Sequence, residues 1–149
     1  MVTIEQIHEM WDKDCQIDPI RLDQVSAESP MLHSKYIQIH DRVRLKQKQL
    51  ELDLEELKAT KMRWMTGKMS KTEMDQLGYE YDPFKGASKP LKTEMNSYVE
   101  SDPEVKKLKL KLEYYKTMKD TLADILQNIR WRHANIKNMI EWRKFTSGD

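Results

Sequence analysis

The chain has 149 residues and a net charge of +1, with 34% charged side chains, 38% hydrophobic ones, four glycines and five prolines. This composition is typical of helix-rich proteins with thin cores, such as coiled coils and elongated bundles. The single cysteine excludes an internal disulfide, and no apolar run is long enough to span a bilayer. We therefore predict one soluble, intracellular all-α domain over residues 1–149.

The net charge is an average over blocks of opposite sign. It is −5 over residues 1–29, +4 over 30–68, −3 over 69–102 and +5 over 103–149. Such segregation is typical of proteins that present separate surfaces to an anion and to cationic partners, although plain helical proteins also show it.

Two short acidic helices are predicted within residues 1–29. Thr3 followed by Gln6 is a capping-box pattern that opens the first helix. Asp18 followed by Pro19 has the N-cap residue and the first-turn proline expected at the start of a second.

A long amphipathic helix is predicted over residues 30–68. Ser29-Pro30 repeats the start signal, and Thr66-Gly67 is a stop signal because glycine suits the left-handed position after a helix. Apolar residues recur every seven positions between them, at Tyr36, Val43, Leu50, Leu57 and Trp64.

Residues 69–102 are predicted as a short helix followed by a loop. Ser70 with Glu73 is a second capping-box pattern, and the helix should end at Gly78. The sequence YEYDPFKGASKP then predicts an irregular segment, because it is rich in turn formers.

The last predicted helix covers residues 103–146 and carries a sustained heptad pattern. Asp102-Pro103 is its start signal, and apolar residues follow by threes and fours. The resulting apolar face is longer than the stripe on the earlier helix, so we expect self-association through it. The residues assigned to oligomerisation are Leu108, Leu112, Tyr115, Leu122, Leu126, Ile129, His133, Ile136 and Ile140.

Signals for catalysis or metal binding are weak. Cys15 lies in no nucleophile motif, and the carboxylates of Asp12, Asp14 and Asp18 lack the turn glycine and the closing glutamate of a calcium loop. Glycine-rich phosphate loops and paired cysteine motifs are absent from the sequence. We predict a protein that is not an enzyme and uses no metal or cofactor.

Residues 58–68, called the basic end below, gather positive charge at the predicted helix C-terminus without an acidic residue. They contain Lys58, Lys61, Arg63, Trp64 and Lys68. Compensation of the helix dipole accounts for part of the charge, and core packing accounts for the tryptophan. Cations beside an aromatic also suit single-strand binding without sequence readout. From the residues alone, both interpretations stay open.

Three stretches resemble the UvsY family, the recombination mediators of T-even-type bacteriophages, and especially members from phages of marine cyanobacteria. They are IDPIRLDQVSAESPMLHSKYIQIH, LKATKMRWMTGK, and SDPEVKKLKLKLEYYKTMKD with IKNMIEWRKF. The resemblance covers nearly all of the chain except residues 79–100. Its specificity lies in the order, spacing and length of these stretches together.

The resemblance implies a ring-like homo-oligomer, hexamer or heptamer, in the host cytoplasm. It implies non-specific binding of single-stranded DNA and loading of the phage recombinase onto strands covered by the phage single-strand-binding protein. It also implies an accessory factor that hydrolyses nothing. The alternative is a coiled-coil oligomer or scaffold without nucleic-acid binding.

The family's central motif runs Lys-Ala-Arg, then aromatics, a small residue and glycine, and its basic pair is implicated in DNA binding. Aligned from the left, Lys58 matches and Thr60 replaces the arginine; aligned back from Gly67, Lys61 takes the arginine place. Either Lys58 or Arg63 is then the partner of Lys61. The residues predicted to bind DNA are Lys58, Lys61, Arg63, Trp64 and Lys68, with Trp64 either stacking a base or anchoring the helix end.

Overall fold

Five α-helices lie within residues 1–148, as the all-α prediction requires. The computed structural model describes residues 1–148. The helices are α1 (Ile4–Asp14), α2 (Leu22–Met65), α3 (Lys71–Leu77), α4 (Met95–Glu100) and α5 (Pro103–Ser147), with a 3₁₀ turn at Lys92–Glu94. Within this described part, every helix is too short or too polar to cross a membrane.

The chain divides into two compact units. Unit 1 consists of Met1–Lys46 and the C-terminal part from Tyr115, and unit 2 is Gln47–Tyr114. The core of unit 1 is formed by Ile7, Tyr36, Val43, Met118, Leu122, Ile125, Leu126 and Ile129. The core of unit 2 is formed by Met65, Met95, Val99 and Val105. The assignment of the chain to a single helical domain stays a prediction.

Three of the predicted helix starts are confirmed by their caps, at Thr3, Ser70 and Asp102. The Thr3 hydroxyl accepts the Gln6 N–H at 3.2 Å, and the Gln6 side chain accepts the Thr3 N–H at 2.9 Å, so α1 has a complete capping box. At the start of α5, the Asp102 carboxylate accepts backbone N–H groups of Glu104 and Val105. Both aspartate and threonine thus satisfy amides that a helix leaves unpaired in its first turn.

The predicted second short helix is wrong, and so is the predicted start of the long helix at residue 30. Asp18 belongs to a turn, in which its carboxylate accepts the Ile20 N–H at 3.0 Å. The long helix α2 begins at Leu22, whose side chain is 5% exposed.

Pro30 lies inside α2 instead of opening it. The fixed φ of proline is compatible with a helix, but the residue has no N–H to bond the carbonyl one turn earlier and its ring crowds that carbonyl. The helix continues because residues on both sides of the proline are buried. The neighbouring Ser29 hydroxyl donates to the Val25 carbonyl at 3.2 Å. Burial of Leu22 before the proline and of Tyr36 after it outweighs the local start signal at Ser29-Pro30.

The segment after α3 is irregular up to residue 91, as predicted, but helix α4 was not expected there. Asp82 organises the irregular part by accepting the backbone N–H groups of Phe84 and Gly86. The six residues of α4 form because Met95 and Val99, one turn apart, are 2% and 3% exposed in the core of unit 2.

Most of the apolar stripe of α5 is already buried within one chain. Of the residues assigned to oligomerisation, five are less than 9% exposed: Leu112, Leu122, Leu126, Ile129 and Ile136. The polar member His133 is exposed, and the buried residue at that point is Arg132, which donates to the carbonyls of Cys15 and Gln16 at the end of α1. The oligomerisation role of the stripe stays a prediction.

Candidate nucleic-acid interface

The basic end is shaped by the way α2 terminates. Gly67 has φ +78°, its N–H donates to the Trp64 carbonyl at 3.3 Å, and the Lys68 N–H donates to the Arg63 carbonyl at 2.9 Å. This pair of bonds is a Schellman motif, which needs a left-handed residue and therefore favours glycine. It confirms the predicted stop signal and turns the chain sharply after the last cations of the helix.

Lys61 is the buried cation of the basic end, at 4% exposure. Its ammonium lies 3.3 Å from the carboxylate of Asp102 and 3.6 Å from that of Glu104, and both residues stand at the start of α5. The Asp102 side chain is buried as well, at 8% exposure. Lys61 therefore ties the end of α2 to the start of α5 within unit 2.

Two aromatic rings complete the surroundings of the Lys61 ammonium. It lies 4.2 Å from the ring centre of Tyr79 and 5.1 Å from that of Trp64, distances at which a ring face attracts a cation. The two rings are 4.8 Å apart, and the indole N–H of Trp64 donates to the Glu80 carbonyl at 2.7 Å. Trp64 is thus held by three neighbours, which is the anchoring role considered for it.

Lys58 lies one turn earlier and is partly exposed. Its ammonium is 2.9 Å from the carboxylate of Glu100, the last residue of α4. The same carboxylate also pairs with Lys109 on α5. One acidic side chain therefore serves two cations, and 45% of it remains exposed to solvent.

Arg63 forms a two-bond pair with Glu73. Its guanidinium donates to the two carboxylate oxygens at 3.0 and 2.7 Å, and both side chains are partly exposed. These hydrogen bonds lower the pKa of Glu73 and raise that of Arg63 from their ordinary values. The predicted capping box of α3 is consequently incomplete: Ser70 caps the helix through the Glu73 N–H, while the Glu73 side chain turns to Arg63.

Lys68 is exposed, and no carboxylate within residues 1–148 forms an ion pair with it. Lys89 lies at the same helix end, and its ammonium donates to the Thr66 carbonyl at 3.5 Å. Lys89 compensates the negative end of the α2 dipole from a loop residue. Lys89 is not among the predicted site residues, because no local pattern relates position 89 to the end of a helix 23 residues earlier.

The structure therefore brings the predicted cations together, and it adds an acidic rim that the sequence analysis did not place. The rim consists of Glu73, Glu100, Asp102 and Glu104. A signal for it existed, because residues 69–102 carry a net charge of −3. Charge segregation alone does not say what the acidic block contacts, and three of these four carboxylates belong to it and pair with the basic end of the same chain.

The weaker candidates for chemistry lie in unit 1 and have other contacts. Asp14 accepts hydrogen bonds from Lys35 at 2.6 Å and from the Tyr36 hydroxyl at 2.8 Å. Burial opposes ionisation of Asp14, but these hydrogen bonds outweigh it, so its pKa lies below the ordinary value. Cys15 is exposed, and its thiol donates to the Asp12 carbonyl at 3.5 Å.

Comparison with known proteins connects this arrangement to a family. The profile of the family described as "Recombination, repair and ssDNA binding protein UvsY" matches residues 10–149. The recombination protein uvsY of Enterobacteria phage T4 is 24% identical over 145 residues, which cover 97% of this chain and 98% of that protein.

Solved structures agree with this match at the level of the fold. One crystal form of the bacteriophage T4 recombination mediator protein UvsY superposes with a TM-score of 0.82 at 22% identity and covers 99% of both chains. A second crystal form gives 0.78 at 21% identity, over 97% of this chain and 99% of that one. The chain belongs to the UvsY family of recombination, repair and single-stranded-DNA-binding proteins.

Proposed function

We propose that this protein is a recombination mediator that binds single-stranded DNA through its basic end. Bound in this way, it would promote loading of a phage recombinase onto strands covered by single-strand-binding protein, in the host cytoplasm. It would act as an accessory factor without enzymatic activity. The observation that carries the proposal is the cluster of cations at the C-terminus of α2, in a member of a single-strand-binding family.

The exposed cations are suited to phosphate and carry no means of reading bases. The cations that reach the surface are the flexible ammonium groups of Lys58 and Lys68 and the planar guanidinium of Arg63. Such groups bind phosphate without reading the base sequence. Trp64 supports the site from within, because it is half-buried and hydrogen-bonded to the backbone. Lys61 is buried among carboxylates, and we assign it to holding this surface in place.

Self-association would multiply these contacts. In a homo-oligomeric ring, hexamer or heptamer, the basic end occurs once per subunit, and a strand that touches several copies is held far more tightly than by one. Large apolar side chains remain exposed near the end of α5, namely Trp131, Ile140, Trp142 and Phe145, and they are available for such an assembly.

The test is a fluorescence-anisotropy titration of an oligo-dT strand at several salt concentrations. The triple variant Lys58→Ala/Arg63→Ala/Lys68→Ala should bind more weakly. Its plot of log affinity against log salt should be shallower by about 0.7 per lost phosphate contact, or roughly 2 per site. The control is Lys13→Ala/Arg42→Ala/Lys137→Ala, which removes three exposed cations elsewhere.

The native mass of both variants is compared with that of the wild type, to check that the proposed oligomer is intact. If both triple variants bind equally well, the basic end is not the binding surface. If the wild type shows no affinity near physiological salt, the alternative function of a scaffold without nucleic-acid binding is favoured instead.

A further inference from the structure

The exposed ion pairs of the basic end compete for the donors that a strand would need. Lys58 is paired with Glu100 at 2.9 Å, and both terminal nitrogens of Arg63 donate to Glu73. We propose that Glu73 and Glu100 act as exchangeable counter-charges that set the strength and the salt dependence of single-strand binding. This inference rests on the proposed function and adds the residues that limit it.

The two carboxylates are placed where phosphate can displace them. The side chains of Glu73 and Glu100 are 34% and 45% exposed, and exposed ion pairs contribute little to stability. Exchange of their cations to another anion therefore leaves the fold intact. The pair of Lys61 with Asp102 is different, because both side chains are under 10% exposed and separating buried charges is costly.

The geometry of exchange favours Arg63 in particular. Its guanidinium already makes two parallel hydrogen bonds to one carboxylate, and a phosphate presents two oxygens in the same way. A phosphate that takes this position accepts the same two hydrogen bonds that Glu73 accepted. Strand binding therefore gains only the difference between the two anions, not the full attraction of a free arginine.

Glu100 acts on two cations at once, because Lys58 and Lys109 share it. While the pair is intact, the carboxylate cancels part of the field that would attract a strand. After displacement it remains near the incoming phosphate and repels it. Both effects weaken binding, and both disappear if the carboxylate becomes an amide.

Weak contact at each subunit is useful for a protein that must hand its strand on. Repetition around an oligomer gives a strong total, while each site exchanges readily. If every site attracted phosphate with unpaired cations, the strand would bind too tightly to be transferred to another protein. The two carboxylates thus keep the affinity of each single site low enough for the strand to exchange.

The experiment compares the double variant Glu73→Gln/Glu100→Gln with wild type in the same anisotropy titration. We expect oligo-dT affinity at about 0.1 M salt to rise at least roughly threefold, because each exposed pair that is removed is worth a factor of a few. The dependence of log affinity on log salt should become steeper. Glu9→Gln/Glu28→Gln changes the net charge equally at exposed positions of unit 1 and should leave affinity within about 1.5-fold of wild type.

A second arm tests whether the gain comes from the freed cations. Adding Lys58→Ala/Arg63→Ala to the glutamine variant should remove most of it, the remainder being due to Lys109 and to the lost repulsion by Glu100. The inference is overturned if the glutamine variant binds like its control, or if the full gain survives loss of the two cations. These results differ from failure of the proposed function, in which wild type and Lys58→Ala/Arg63→Ala/Lys68→Ala bind equally or neither binds.

Discussion

Lys61 shows how strongly the surroundings decide what a cation does. It lies on the same helix end as Lys58 and Arg63, yet its ammonium is enclosed by Asp102 and two aromatic rings. A buried lysine of this kind contributes to the fold because its removal leaves a buried carboxylate without its cation.

We therefore predict that Lys61→Met destabilises the protein by roughly 3 kcal/mol, since methionine keeps the apolar stem and deletes the charge. Urea unfolding followed by circular dichroism measures this. Lys68→Met, at an exposed position, should change stability by about 0.5 kcal/mol or less. Adding Asp102→Asn to Lys61→Met should lose less than the sum of the two single changes, because the stranded charge is gone.

In DNA binding, Lys61→Met should leave the salt slope unchanged under conditions where the variant is folded. A slope reduced as much as in Lys58→Ala would instead make Lys61 a phosphate contact.

The sequence contained a sign of this burial. Leu57, Lys61 and Trp64 follow one another by four and three residues, so Lys61 occupies a position on the apolar stripe of α2. What local spacing could not supply is the partner, because Glu100 and Asp102 lie about 40 residues away and meet the basic end only through tertiary packing. The cluster of cations could be predicted from the sequence. Which of these cations are buried and which can exchange their partner could not be predicted.

At the scale of the helix, local signals were reliable where tertiary packing agreed with them. The caps at Thr3, Gly67 and Asp102 were predicted from residue type and are present. The start signal at Pro30 does not mark the start of the helix, because residues before the proline, such as Leu22, are also helical and buried. Helix α4 escaped prediction because six residues with one apolar pair give no measurable period.

Pro30 offers a test of this account. It leaves α2 one hydrogen bond short, so Pro30→Ala should stabilise the protein by about 1–2 kcal/mol, the helical gain less the greater chain freedom of unfolded alanine. The measurement is the midpoint of urea unfolding at constant slope. The matched control is Pro90→Ala, at a proline outside any helix, which should not stabilise. A less stable Pro30→Ala variant would show that the proline itself is needed at this point of the helix.

At the scale of the whole molecule, the fold explains which apolar residues of α5 one chain leaves exposed. The heptad pattern of α5 predicts one oligomerisation face, but Leu122, Leu126 and Ile129 belong to the core of unit 1. An amphipathic pattern indicates that one face of a helix is buried, but it does not indicate whether that face packs within the chain or against another subunit. The residues that one chain leaves exposed on this helix lie outside the predicted set, apart from Ile140 and His133.

Trp142 and Phe145 are the strongest candidates for contacts between subunits. They are 66% and 75% exposed, and their rings stack at 5.7 Å, so together they present a preformed apolar surface. We predict that Trp142→Ser/Phe145→Ser lowers the native mass measured by light scattering, most clearly on dilution. Helix content should be retained, because neither residue contributes to the core of unit 1.

The same variant should lose affinity for a long oligo-dT strand by about tenfold or more, although its basic end is unaltered, because fewer copies of the site act on one strand. Its affinity for a strand short enough to touch one subunit should stay close to that of wild type. Leu91→Ser, at a residue that is 69% exposed in the irregular segment, is the matched control and should alter neither mass nor affinity. Full native mass in the aromatic variant would exclude the end of α5 from the contact between subunits, whereas a reduced mass with unchanged long-strand affinity would show that binding does not depend on repetition.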